Sequence, residues 1–197
     1  MFLSVLLMIA DENPDIRLLR KAKNGDRDAF GELFRKYQMR VFRVARRMCG
    51  SDDEAWDITQ DAFIRAMQAM DRFDTQYRFF TWIYRITTNL AINYSRKKLR
   101  RQEVHFEEAY AAGGQQVIED SMTDRATGEQ LVKALGKAVE KLTPALKVVF
   151  VLRVDQQLSY SEIAESLDIA IGTVMSRLNR ARSKIREELG SMLGEME

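Results

Sequence analysis

The chain has 197 residues, 46% hydrophobic and 30% charged, with a formal net charge of +2, the mix of a helix-rich globular protein of one large or two small domains. A single cysteine, Cys49, and a single histidine, His105, exclude an intrachain disulfide and a zinc site built from Cys and His, and leave little scope for acid–base catalysis near neutral pH. The small net charge conceals an uneven distribution: residues 1–101 carry 20 basic and 13 acidic side chains, residues 102–127 one and six, and residues 128–197 ten of each, which predicts two domains, an acidic connector and a polyanionic partner.

Residues 1–15 read as an N-terminal extension. The apolar run Met1 to Ala10 is far shorter than the ~20 residues a bilayer-spanning helix needs, and it lacks the basic start of a secretory signal. Met8 is the expected native start. Ile16 to Lys23 predicts a short helix closed by Asn24-Gly25. Asp26 then caps a longer helix to about Met48, with Phe30, Leu33, Phe34, Tyr37, Val41, Val44 and Ala45 as its apolar stripe. Gly50-Ser51 ends it. Ser51-Asp52-Asp53-Glu54 predicts the next start, with a side-chain cap and acids over the positive helix end. This third helix reaches about Met70 and turns Ala55, Ile58, Ala62, Phe63, Ala66 and Met67 inward. A loop over 71–80 leads to a fourth helix, capped by Thr81 and running from Trp82 to about Leu99.

Residues 102–127 lack a sustained helical period and contain Gly113-Gly114, so they read as a flexible acidic linker. A second domain, 128–197, opens with Leu131, Leu135, Ala138, Val139 and Leu142 at helical spacing. Thr143-Pro144 starts a buried helix through Val148 to Val154. Leu158 to Leu178 then reads as helix, break and helix. Ile163, Ala164 and Leu167 share one face, Val174 and Leu178 another, and Asp168 stands at the break, where Asp tolerates a left-handed backbone. Arg177, Arg180, Arg182, Lys184 and Arg186 make the second helix basic, as in a helix-turn-helix that enters a DNA major groove. No segment alternates with period two. The expected fold is therefore all-α: two small helical domains, 16–101 and 128–197, joined by the linker.

Two further constellations bear on chemistry. Tyr77, Phe79, Phe80, Trp82 and Tyr84 lie among Arg72, Arg78 and Arg85, ahead of five basic residues within 96–101. Cations neutralise phosphates while rings stack on exposed bases at about 1–3 kcal/mol each, so the pattern suits single-stranded nucleic acid. Tyr77 and Arg78, in the loop, are its candidate contacts, whereas Trp82 and Ile83 match Ile86 and Leu90 as core. The other constellation is acidic: Asp53, Asp57, Gln60 and Asp61 share one helix face, which would repel DNA and is better suited to a basic protein partner. There is no phosphate-binding Gly-rich loop, nucleophile elbow, His-Glu-x-x-His or Cys-x-x-Cys, so neither an enzyme nor a cofactor is expected.

These sites, in this order, resemble the extracytoplasmic-function sigma factors of the bacterial sigma-70 family over about Ile16 to Leu189. Gly25-Asp26-x-x-Ala29-Phe30-x-x-Leu33-x-x-x-Tyr37 resembles the start of region 2. Asp57-x-x-Gln60-Asp61-x-Phe63 is similar to the helix that holds the clamp helices of RNA polymerase. Phe80 to Ile86 resembles the promoter-melting segment, and Leu142-Thr143-Pro144 through Gly172 to Arg182 resembles region 4. Trp56 stands where the family usually has an acid, and Met175 where Lys or Arg is frequent.

The resemblance implies a factor that binds core polymerase, directs it to specific promoters and promotes melting. Asp53, Asp57, Gln60, Asp61 and Phe63 would dock on polymerase. Asp74, Tyr77, Arg78 and Phe79 would capture a flipped −10 base, with Arg85, Asn89, Asn93, Arg96 and Lys97 holding adjacent backbone or base edges. Thr173, Ser176, Arg177 and Arg180, within the helix-turn-helix Tyr160 to Asn179, would read the −35 element. It also implies promoter DNA and an anti-sigma factor as partners, no metal and no small-molecule substrate. The expected location is the cytoplasm, where an anti-sigma factor can hold the chain at the membrane. The alternative from the residues is a stand-alone helix-turn-helix regulator with an N-terminal sensing domain.

Overall fold

A computed structural model of the chain describes residues 14–75, 77–111 and 128–194. The expectations for residues 1–13, Met8 as a start included, and for 112–127 lie outside them. The described elements are α1 (Pro14–Lys23), α2 (Arg27–Cys49), α3 (Asp52–Gln68), a 3-10 turn (Met70–Arg72), α4 (Phe79–Ala111), α5 (Gly128–Glu140), α6 (Pro144–Val154), α7 (Tyr160–Leu167) and α8 (Ile171–Gly194). No strand occurs among the described residues, as the missing period-two pattern predicts. No described helix is long and apolar enough to cross a membrane. The contacts divide the molecule into two compact units whose principal segments meet inside α4, between Ala91 and Ile92.

In the first unit α2 packs against α1 and α3. Asp26 caps α2: its side-chain oxygen accepts from the Asp28 and Ala29 amides at 3.0 Å, satisfying donors that a helix start leaves unpaired. Gly50 ends the helix at φ 84°, a left-handed conformation that suits glycine. Leu33, Tyr37, Val41, Val44 and Ala45 are buried as the apolar period requires, with Phe30 and Phe34 half-buried beside them. Ala55, Ala62 and Ala66 are fully buried on α3, and their small side chains let the two helices approach closely. Met67, expected inward, is 53% exposed.

Three local expectations need correction. Ser51 makes no side-chain cap to α3. Its carbonyl instead accepts the Cys49 thiol at 3.4 Å, and the acids Asp52, Asp53 and Glu54 remain over the helix end. Thr81 does not cap α4, which begins at Phe79; its hydroxyl donates to the Arg78 carbonyl at 2.7 Å from within the first turn. At its other end α4 continues to Ala111, so residues 102–111 of the expected linker are helical. Cys49 is a buried thiol at the end of α2, and burial pushes its pKa up.

In the second unit Thr143 stands at the N-cap of α6 and Pro144 in its first turn, as predicted, although the Thr143 hydroxyl makes no capping hydrogen bond. Ala138, Leu142, Leu146, Ala181 and Ile185 form a buried cluster from α5, α6 and α8, with Val139, Phe150 and Leu189 packed against it. Val148, Val149, Val151 and Leu152 are buried along α6, a helix apolar on most of its surface. On α5 the inward stripe is shorter than expected: Leu131 and Leu135 are 47% and 40% exposed.

Tyr84, 1% exposed on α4, has its phenol pushed from 10.0 to about 12, chiefly by burial. A raised phenol pKa favours the neutral folded form. That stabilisation is complete below about pH 10 and is lost as pH rises through about 12, a loss of about 2–3 kcal/mol. Chemical denaturation across this window should show a steeper fall in stability for the natural chain than for Tyr84→Phe. Equal slopes would remove Tyr84 as the cause.

Candidate functional site

The aromatic loop is built on a ring cluster. Phe73, which ends the 3-10 turn, lies 4.6 Å from Trp82 and 6.4 Å from Phe79. Phe79 lies 5.9 Å from Trp82 and 5.3 Å from Tyr37 of α2. Such pairs add about 0.5–1.5 kcal/mol each beyond burial. Phe79 is fully buried. This corrects its expected role: it is the floor on which the loop stands and not a contact for DNA. Asp74, Tyr77 and Arg78 are exposed above it. The Tyr77 amide donates to the Asp74 carbonyl at 3.1 Å, closing a turn that leaves the Tyr77 ring 55% exposed. The Arg78 guanidinium lies 5.8 Å from the Phe80 ring. Ile83 is buried and Trp82 half-buried, so both serve the core.

Along α4, Arg85, Asn89, Asn93, Arg96 and Lys97 are all exposed. Their three- and four-residue steps keep them on one face, a polar stripe leading away from the loop. Beneath it Thr87 and Thr88 are fully buried, with hydroxyls donated to the Ile83 and Arg85 carbonyls at 2.7 and 3.2 Å. Their polar groups are thereby satisfied without any other element.

On α3, Asp53, Asp57 and Gln60 are exposed, while Asp61 is half-buried and paired with Arg65 Nε at 2.9 Å. A basic partner of Asp61 must therefore compete with Arg65. Phe63 does not belong to this face. It is 3% exposed, with its ring 4.8 Å from Phe34 and 6.4 Å from Phe30, and it fixes α3 on α2 instead of meeting a partner. Trp56 lies with its ring 4.4 Å from Phe42 of α2 and is 37% exposed. It presents a flat apolar surface supported by a second ring.

The helix-turn-helix is held by local chemistry. Ser159 and Glu162 form a reciprocal capping box at the start of α7: the Ser159 amide donates to Glu162 Oε2 at 2.8 Å, and the Glu162 amide donates to Ser159 Oγ at 3.2 Å. Before it, Gln157 takes φ 57°, and Arg153 donates to the Leu158 carbonyl at 2.8 Å while covering the Tyr160 ring at 5.4 Å. Neither the capping box nor the Arg153 brace is among the sequence expectations for this segment, although Ser-x-x-Glu is a visible signal for the former. Asp168 takes φ 55°, as its place at the break predicts. Val174, Leu178 and Ala181 form the buried seam of α8. The other side presents Ser176 and Arg180, exposed, with Thr173 and Arg177 half-buried. Ser176 Oγ donates to the Thr173 carbonyl at 3.0 Å, so in this rotamer it is left as an acceptor. Met175 is 46% exposed, an apolar tip among polar neighbours.

The comparisons with known proteins agree with this arrangement. The family model for sigma-70 region 2 matches residues 33–101, and that for sigma-70, region 4 matches residues 133–185. The first span holds the acidic stripe, the loop and the basic run of α4, and the second holds the helix-turn-helix. The ECF RNA polymerase sigma factor SigW of Bacillus subtilis is 35% identical over 87% of this chain and 94% of its own length. The chain is thus an RNA polymerase sigma factor of the extracytoplasmic-function group and belongs to the sigma-70 family, which displaces the stand-alone regulator. Among solved structures, CnrH in complex with the cytosolic domain of CnrY shares the fold with a TM-score of 0.68, at 23% identity over 91% of this chain and 99% of that one. The sigma factor RpoE in complex with the anti-sigma factor NepR from Bartonella quintana gives 0.60, at 25% identity over 82% and 96%.

Burial assigns Phe63 to the core, and truncating a buried aromatic costs about 3–5 kcal/mol. Phe63→Ala should lower unfolding stability by that order in urea denaturation. Wild-type stability of the variant would return Phe63 to the exposed face.

Proposed function

We propose that residues 16–101 act as region 2, residues 128–197 as region 4, and residues 102–127 as the tether between them. In this reading Asp53, Asp57, Gln60 and Asp61 hold the clamp helices of core polymerase. Asp74, Tyr77 and Arg78 trap a base flipped from the −10 non-template strand, while Arg85, Asn89, Asn93, Arg96 and Lys97 follow the adjacent strand. Thr173, Ser176, Arg177 and Arg180 read the −35 element in the major groove. The observation that carries the reading is an acidic exposed stripe on α3, next in sequence to an aromatic loop raised on a buried ring floor. The first matches a protein partner and the second an unstacked base. Trapping such a base offsets the few kcal/mol that unpairing costs, so binding drives melting without nucleotide hydrolysis.

The same reading makes the chain non-enzymatic and cytoplasmic, in keeping with its single histidine and single cysteine. It also gives the chain an anti-sigma partner, supported by the structural likeness to RpoE solved with NepR.

Arg177→Ala should weaken −35 selection about 10-fold or more, since a good bidentate Arg–guanine pair is worth about 1–3 kcal/mol, while polymerase binding persists. Footprinting on promoter variants measures this, and an unchanged −35 preference would remove Arg177 from the reading surface. Asp61→Lys should abolish co-purification with core polymerase; normal co-purification would refute the docking face.

A further inference from the structure

Helix α1 precedes the span matched by the region 2 model, which begins at residue 33. It is nevertheless tied to the residues that flank the loop, directly at its end through Lys23 and indirectly at its start through Tyr37. At its start Asp15, 1% exposed, accepts from the Tyr37 phenol and from Lys36 Nζ, the latter at 2.5 Å. Tyr37 in turn packs its ring against Phe79, where α4 begins. At its other end Lys23 Nζ donates to the main-chain carbonyl of Phe73 at 2.9 Å. Between the two, Leu19 is buried at 1% exposure and α1 packs on the 3-10 turn.

The Phe73 carbonyl belongs to the peptide that leads into Asp74. The ring contacts of Phe73 and Phe79 fix where the loop leaves the core and returns to it. They do not fix the rotation of that peptide plane, and a rotation there redirects Asp74 and the turn that carries Tyr77. An ammonium bound to the carbonyl does fix it, through a charge-assisted hydrogen bond. Ordering the turn during folding, and not during DNA capture, removes an entropic cost from the binding step.

We propose that Lys23 is a positioning residue for base capture, holding the Phe73–Asp74 peptide in the orientation that presents Asp74, Tyr77 and Arg78 to the flipped base. The inference rests on the reading of this loop as the −10 capture site. In the polymerase holoenzyme, Lys23→Met keeps the apolar stem and removes the donor, while Lys23→Arg keeps a donor. Each is assayed for binding a fluorescent single-stranded oligonucleotide carrying the −10 non-template sequence of a promoter the protein transcribes, and for binding the −35 duplex of that promoter. Lys23→Met should weaken single-strand binding about three- to tenfold and leave duplex binding and polymerase association unchanged. Lys23→Arg should restore most of the loss. Asp74→Ala and Tyr77→Ala, run in parallel, separate the two claims. Unchanged single-strand affinity in both loop variants would sink the loop reading itself. Loss in the loop variants with none in Lys23→Met would overturn the role of Lys23. An equal loss of all three activities in Lys23→Met would also overturn it, showing a general brace of the domain.

Discussion

On the proposed function, the first unit answers to one requirement: its loop must be exposed enough to meet a base and stiff enough to hold it. The ring cluster of Tyr37, Phe73, Phe79 and Trp82 meets both demands. The four rings come from three stretches of chain: α2, the end of the 3-10 turn, and two positions in the first turn of α4. Packing these together leaves Asp74, Tyr77 and Arg78 outside the core. Rigid aromatic contacts cost little side-chain entropy, so the loop is constrained without being buried.

The second domain solves a related problem by different means. On the same proposal, α8 must present polar side chains at a fixed angle, and here the constraints are local. Ser159 and Glu162 fix where α7 begins, Asp168 makes the break with a left-handed residue, and Val174, Leu178 and Ala181 fix the rotation of α8 about its axis. Rotation about that seam decides which of Thr173, Ser176, Arg177 and Arg180 face outward. The division of labour in the proposed function follows: one unit opens a strand, and the other reads a duplex.

Much of this was legible in the residues because it depends on local chemistry. Asp26 and Gly50 act within a turn of their own positions, Pro144 within the first turn of α6, and Asp168 through its own backbone. The acidic stripe was legible too, since exposed charge at helical spacing needs no knowledge of distant chain. Phe79 was misassigned because an aromatic beside charged residues looks the same in sequence whether it packs on α2 or meets a ligand, and only its non-local partner Tyr37 decides. For Phe63 the helical period already pointed inward, and burial upholds it against the docking role that the resemblance implied. The length of α4 was missed for another reason. Residues 102–111 lack an apolar period, but that period reports burial and not helicity, and the stretch contains neither Gly nor Pro. The anchoring of the loop by Lys23 joins residues 50 positions apart, beyond the reach of any spacing rule.

The account stands or falls on whether this chain confers promoter choice on polymerase. The most direct measurement adds the purified protein to core RNA polymerase with genomic DNA of the source bacterium and maps the 5′ ends of the transcripts. New, sharply defined starts that are absent with core enzyme alone and that share a −35 and a −10 element are the expected result. Transcription indistinguishable from that of core enzyme, from a protein shown to be folded, would contradict it.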